Sequence, residues 1–307
     1  MLWIIFPLAA ALLYTLSSFV DNYLTDIYFK KRDPGALILF GIISATIFVV
    51  VMAVWRGVDV FLGAGTVAAI GLVIAGAIEA LSNLPYYRAL KMEDTTGVTI
   101  LTQLYPVKVL ILGMVVLGET ISLGQTFAFG LILSAVLLLV FSVRTKRKFR
   151  LELRTGALAV LASLGWAVGD TIFVWFARGI EHYEDSYVWF LIGLILATLA
   201  MAAVKREWLG AVKEFLMDRR KHKMRIVLVN ELLCIMAEMT FRAGLLMAPM
   251  ALVGVVSTSS QLVMTFGLGI LLTIIVPKFG REELERKHVV SHLAATVLTV
   301  IGIILIG

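Results

Sequence analysis

An all-α bundle of membrane-spanning helices is the fold class this sequence predicts, and three observations carry it. Of 307 residues, 60% are hydrophobic and 16% charged, well below the roughly one quarter charged that is usual in soluble domains; mean hydropathy is +0.97. Apolar runs of about 20 residues recur along the whole chain, which suits helices crossing hydrocarbon; an outer-membrane barrel would show shorter alternating segments. Lys and Arg collect between the runs rather than within them.

Taken in order, the runs predict helices at 3–29, 36–55, 64–90, 95–117, 121–142, 155–178, 186–204, 225–246, 249–276 and 288–306. The first, MLWIIFPLAAALLYTLSSFV, has no basic stretch ahead of it and no processing site before Asp21 and Asn22, so it reads as a retained helix and not a cleaved leader. The second ends at Arg56, the third carries Glu79 and Asn83, and the fourth holds Lys108. Residues 144–154, RTKRKFRLELR, form a basic linker at the midpoint, between a first half of 1–143 and a second of 155–307. Basic side chains there suit anionic lipid headgroups. The sixth run contains Asp170, and the seventh ends before 205–224, where Leu209, Val212, Phe215 and Leu216 share one helical face, the pattern of a helix floating on the membrane surface. Glu231, Glu238 and Arg242 fall in or at the end of the eighth run, Ser257, Ser260 and Gln261 in the ninth.

Turns after the odd-numbered runs hold nearly all of the basic residues, whereas the other side has little beyond Arg56, Arg178 and Arg242. The positive-inside rule then puts the odd turns in the cytoplasm and both termini outside. A net charge of +6 confined to loops argues for a membrane surface and against nucleic acid. The expected location is a prokaryotic cytoplasmic membrane.

The two halves repeat. Residues 15–29, TLSSFVDNYLTDIYF, align with SLGWAVGDTIFVWF, matching Asp21 to Asp170, and the stretch from Tyr86 to Glu119 aligns with 240–272, matching Arg88 and Ala89 to Arg242 and Ala243. Five runs per half is an odd number, so the second copy enters the membrane inverted, an arrangement that places binding sites near the midplane between the copies.

The segment YYRALKMEDTTGVTILTQLYPVKVLILGMVVLGETIS (86–122) has an aromatic before Arg-Ala-Leu, a proline within the next helix and Gly-Glu at its end. It resembles the EamA domain of the drug/metabolite transporter superfamily, and FRAGLLMAPMALVGVVS repeats its first part more weakly, without the proline or the Gly-Glu close. That resemblance implies a ten-helix carrier with a central cavity that moves small metabolites, often outward.

A carboxylate in hydrocarbon costs several kcal/mol unless paired or protonated, and intramembrane ionisable groups face the bundle interior or a wet cavity. The candidate substrate- or proton-binding residues are Asp21, Glu79, Asn83, Tyr86, Gln103, Lys108, Asp170 and Glu238. Glu79, Asn83 and Tyr86 share one face of the third helix, and the matched aspartates are expected to project into a common cavity. Glu79 paired with Lys108 would neutralise both charges and lock the third helix to the fourth. Excess acid favours a cationic or zwitterionic metabolite or a proton-coupled cycle. Gly165 and Gly169 read as a close-packing face, Pro85 and Pro106 as kinks, and His288 with His292 as a solvated pair and not a metal site. The single cysteine, Cys234, excludes an intrachain disulfide. With no HExxH, GxSxG or P-loop, neither an enzyme nor a bound cofactor is expected. The competing class is a non-transporting membrane protein, such as a lipid-handling or scaffold factor. Its acid cluster would be sealed and dry, whereas a carrier needs a cavity reaching Asp21 or Asp170.

Overall fold

The computed structural model describes residues 2–28, 34–92, 102, 104–144, 153–217, 221–275 and 286–306. Among them there is no strand. Each apolar run identified above is helical in its described part: α1 Ile5–Tyr28, α2 Ile38–Arg56, α3 Thr66–Met92, α4 Tyr105–Val116, α5 Leu123–Arg144, α6 Leu153–Ala177 and α7 Tyr183–Val204. The amphipathic α8 spans Arg206–Met217 and is followed by α9 Lys221–Met247, α10 Met250–Ile275 and α11 Arg286–Ile306. Among the described residues six stretches are long and apolar enough to cross a membrane: Leu2–Asp21, Ile38–Arg56, Thr66–Ala89, Arg154–Ala177, Tyr183–Val204 and Met250–Leu271. Tyr105–Val116, Leu123–Leu138 and Leu293–Leu305 are shorter and equally apolar, whereas α9 has the length but carries Glu231, Glu238 and Arg242 along its middle.

Helices from the two halves interleave. α3 packs along both α6 and α7, α1 along both α9 and α10, and α5 along α11; α2 meets α7 and α9, while α4 meets α6 and α10. The main apolar core, including Leu72, Phe173, Tyr187, Phe190, Leu245 and Met250, sits where α3, α6, α7, α9 and α10 converge. Most large apolar side chains of α2, from Ile47 to Trp55, stay exposed, as a lipid-facing surface requires.

Glycine sets how closely α3 and α7 approach. A Cβ on Gly76 would strike the backbone carbonyl of Phe190, and one on Gly193 would strike that of Val73, so each helix presses its backbone into the gap left by the other's missing side chain. The α6 pair has the packing role expected of it: Gly165 lies against Ser82 of α3, and Gly169 approaches the carbonyl of Ala75. A wall built this way is rigid because no rotamer change can relieve a backbone contact.

The Gly-Glu pair after α4 ties helix ends together. Gly118 adopts φ +65°, where a side chain would be strained, and lets the amides of Leu117 and Glu119 both donate to the Gly113 carbonyl, at 3.1 and 3.0 Å. Glu119 then pairs with Arg178 just beyond α6 and accepts a 2.9 Å hydrogen bond from the amide of Met250, the first residue of α10. α4, α6 and α10 are thereby joined at one end of the bundle.

One expectation needs correction. The 205–224 segment does not float: Trp208 is fully buried and Phe215 nearly so, in a cluster with Leu37–Phe40, Ala202 and Val227, while Leu209 on the supposed apolar face is 53% exposed. Phe215 meets Phe40 edge-on at 5.2 Å between ring centroids. An interfacial helix buries its apolar stripe in whatever apolar surface is nearest, and here that surface is protein. Pro106 lies in the first turn of α4, where the missing N–H costs no helical bond, and most of the expected run before it falls outside the described residues. Pro85 does lie inside α3. Most of the basic linker, and the side chains of His288 and His292, fall outside the described residues.

Gly193→Leu should lower the stability of the detergent-solubilised protein by about 2 kcal/mol or more through overpacking, whereas Gly130→Ala in α5, which faces open space, should be neutral or slightly stabilising. Thermal unfolding of the two variants beside the parent reads the difference.

Candidate functional site

Eight helices contribute to one cavity of about 280 Å³. α1 supplies Tyr14, Ser17, Ser18 and Asp21, spaced along one face; α3 supplies Glu79, Asn83, Tyr86 and Tyr87; α9 supplies Glu231, Cys234, Ile235, Glu238, Phe241 and Arg242. Further walls come from α2 at Gly41 and Ser44, α4 at Tyr105, α6 at Trp166 and Asp170, α7 at Tyr187 and Phe190, and α10 at Ser257, Thr258 and Gln261.

At one end a single guanidinium organises the charge. Arg242 is 1% exposed and pairs with Glu79 at 3.1 Å, with Asp170 at 3.0 Å and with Glu238 one turn earlier on its own helix. Its flat face lies over the Phe190 ring, 4.0 Å from the centroid. Tyrosines complete the shell: Tyr105 donates its hydroxyl proton to Asp170 at 2.5 Å, and Tyr14 donates to Glu238 at 3.1 Å. One cation thus holds α3, α6 and α9 together, with α1 and α4 attached through phenols. Three carboxylates against one guanidinium leave the cluster anionic by two charges when all are ionised. Asp170 Oδ1 and Arg242 Nε are buried without a hydrogen bond.

The other end is also acidic but has no cation among the described residues. The side-chain amide of Asn230 donates to Asp21 at 2.7 Å, and Ser17 donates to the Asn230 oxygen at 3.0 Å. Ser17 also lies 2.8 Å from the Cys234 sulfur. Glu231, next in sequence to Asn230, extends toward Gly41 of α2, where an added Cβ would come within 3.4 Å of its Oε2. Among the described residues neither Asp21 nor Glu231 forms an ion pair. The side wall is aromatic: Trp166 donates its indole N–H to Asn83 at 3.0 Å, and its ring lies 5.2 Å from Tyr86, which in turn meets Tyr87 at 5.4 Å.

Of the residues singled out in the sequence, Asp21, Glu79, Asn83, Tyr86, Asp170 and Glu238 line this cavity, and Gln103 falls outside the described residues. The expected pairing of Glu79 with Lys108 does not form. Lys108 donates instead to the Val160 carbonyl at 2.9 Å and the Ser163 hydroxyl at 2.5 Å, both on α6, and takes no part in the cavity. Arg242 is the cation that Glu79 meets, so this arginine belongs to the core and not to the membrane edge. Arg88, its match in the sequence alignment, is turned half a circle away from Glu79 on α3 and does not reach the cavity. Tyr14, Tyr105, Trp166 and Asn230 were missed because single aromatic or amide residues in apolar helices carry no pattern of their own. Only Arg242 had left a signal, the i, i+4 spacing from Glu238.

Residues 1–141 match the EamA-like transporter family. No curated protein matches the chain. One solved crystal structure is similar over 97% of this chain and 95% of its own, with a TM-score of 0.62 at 17% sequence identity, a likeness of fold alone.

Removing the guanidinium should leave two buried carboxylates, Glu79 and Asp170, and the half-buried Glu238 without their cation. Arg242→Gln is expected to cost about 3–5 kcal/mol of stability, and adding Glu79→Gln should recover part of it. Thermal melts of the single and double variants test this, and a double variant no more stable than the single would show that the pair is not coupled.

Proposed function

We propose that this chain, a polytopic membrane protein with an EamA-like transporter domain in residues 1–141, is a secondary carrier that moves a small metabolite by alternating access. The observation carrying this reading is the cavity itself: a space of about 280 Å³ inside an apolar bundle, walled by helices from both halves and reaching both Asp21 and Asp170. A scaffold protein would gain nothing from holding five carboxylates open to such a space, since buried charge is retained at a cost in stability.

Ten spans in two inverted five-helix repeats, α1 to α5 and then α6, α7, α9, α10 and α11, give the carrier its moving parts. The helix pairings support this. Exchanging each helix for its counterpart turns the α3–α6 contact into α9–α1, α3–α7 into α9–α2, and α4–α6 into α10–α1, while α2–α7, α4–α10 and α5–α11 map onto themselves. Asp21 and Asp170 each stand seven residues before the last residue of their helix, which in an inverted pair places them toward opposite ends of the cavity. Rocking the repeats about this axis would open the two ends in turn.

Coupling follows from the charge. The acid excess makes protonation of a carboxylate the natural counter-movement to release of the metabolite, and the basic turns set the odd-numbered loops in the cytoplasm with both termini outside, so that an inward proton drives export.

In proteoliposomes with an imposed pH gradient, the parent chain should carry substrate from a panel of amines and amino acids, and Asp170→Asn should lose that flux or its dependence on the gradient while keeping the parent melting temperature within a few degrees. Unchanged gradient-driven flux in Asp170→Asn would refute the role. Cys234, the single thiol, reports the cycle directly: its alkylation rate should shift when the gradient is reversed, and a rate indifferent to the gradient would count against alternating access.

A further inference from the structure

Resting on the carrier reading, we infer that the cavity takes a linear aliphatic diamine, with one ammonium held by Asp21 and Glu231 and the other by Glu238 at the edge of the Arg242 cluster. Charge excludes the opposite class first. The one guanidinium in the lining is already engaged by Glu79, Asp170 and Glu238 and stacked on Phe190, so an anionic ligand would have to break those pairs before meeting a cation. Both ends remain acidic: among the described residues Asp21 and Glu231 meet no cation, and the Arg242 cluster keeps two carboxylates in excess of its cation.

A second observation points to a ligand at the far end. Asp170 is 3% exposed and lines the cavity, yet its Oδ1 accepts no hydrogen bond, the Arg242 nitrogen 3.0 Å away lying out of line. Its ion pair is with a guanidinium shared among three carboxylates, so the negative charge at this end is under-compensated, and an ammonium with three donors at Glu238 would offset it.

Helix geometry sets the length. Glu231 and Glu238 lie seven residues apart on α9, as do Tyr14, which bonds Glu238, and Asp21 on α1; at 1.5 Å per residue the acidic ends are about 10 Å apart. Five or six bonds of about 1.5 Å, zigzagged, separate the nitrogens of a four- or five-carbon diamine by about 6–8 Å. Charge-assisted N–H···O bonds of about 2.8 Å at each end then close the span. Ile235 stands midway on α9 between the glutamates, and Tyr86 and Trp166 offer aromatic faces to the methylene chain. The volume, just under the range of about 300–1,000 Å³ typical of drug-sized ligands, fits so small a molecule.

Equilibrium binding to the purified full chain in detergent tests this without requiring transport. 1,4-Diaminobutane should bind at least tenfold more tightly than 1-aminobutane and slow alkylation of Cys234 by at least tenfold. Glu231→Gln should bring the diamine down to the affinity of the monoamine, and Glu231→Asp should restore part of the difference. Equal affinity for the two amines, or no protection of Cys234 by either, would overturn the inference; the wild-type comparison decides it even if the Gln variant fails to fold. Absent diamine binding alongside gradient-dependent Cys234 labelling would sink the diamine and leave the carrier. Tight diamine binding with labelling indifferent to the gradient would do the reverse.

Discussion

The structure depends on one buried arginine. A guanidinium withdrawn from water is tolerable only when its charge is met at close range, and Arg242 meets three carboxylates and an aromatic face. Because those partners sit on α3, α6 and α9, the electrostatic requirement is also a packing instruction: the helices must converge where the charge is. Tyr105 and Tyr14 bring α4 and α1 to the same point.

Around that centre the fold holds geometry with small residues. Gly76 and Gly193 set the α3–α7 approach, and Gly165 and Gly169 the α6–α3 approach, by contacts in which backbone meets backbone or a short side chain. The carboxylates of α3 and α6 therefore project from helices held closely against each other. Flexibility, where a carrier needs it, has to come from α1, α9 and α10 moving against this block.

The cavity's two ends differ in chemistry although the matched aspartates stand at equivalent places on their helices. Asp170 has a cation and a phenol; Asp21 has an amide and, beyond it, a second carboxylate. The difference arises on α9, which places Arg242 toward one end and Asn230 with Glu231 toward the other, while Arg88 on α3 faces away from the cavity.

Much of this was legible from residue order, because it is governed by local periodicity. Helix positions, the faces carrying Glu79, Asn83 and Tyr86, the close-packing role of Gly165, and the functional look of Asp21 and Asp170 all follow from spacing and from the cost of charge in hydrocarbon. Which groups meet was not legible. Lys108 was the partner expected for Glu79 and Arg242 is the one it meets; the choice turned on where α4 and α9 cross α3, a matter of helix rotation that a one-dimensional pattern leaves open. The same holds for Trp208, whose burial against Leu37–Phe40 depends on the fold of a distant segment, and for the phenols that reach the acids from α1 and α4. Spacing along a helix is a local property that a chain carries with it; a contact between helices exists only once both have been placed.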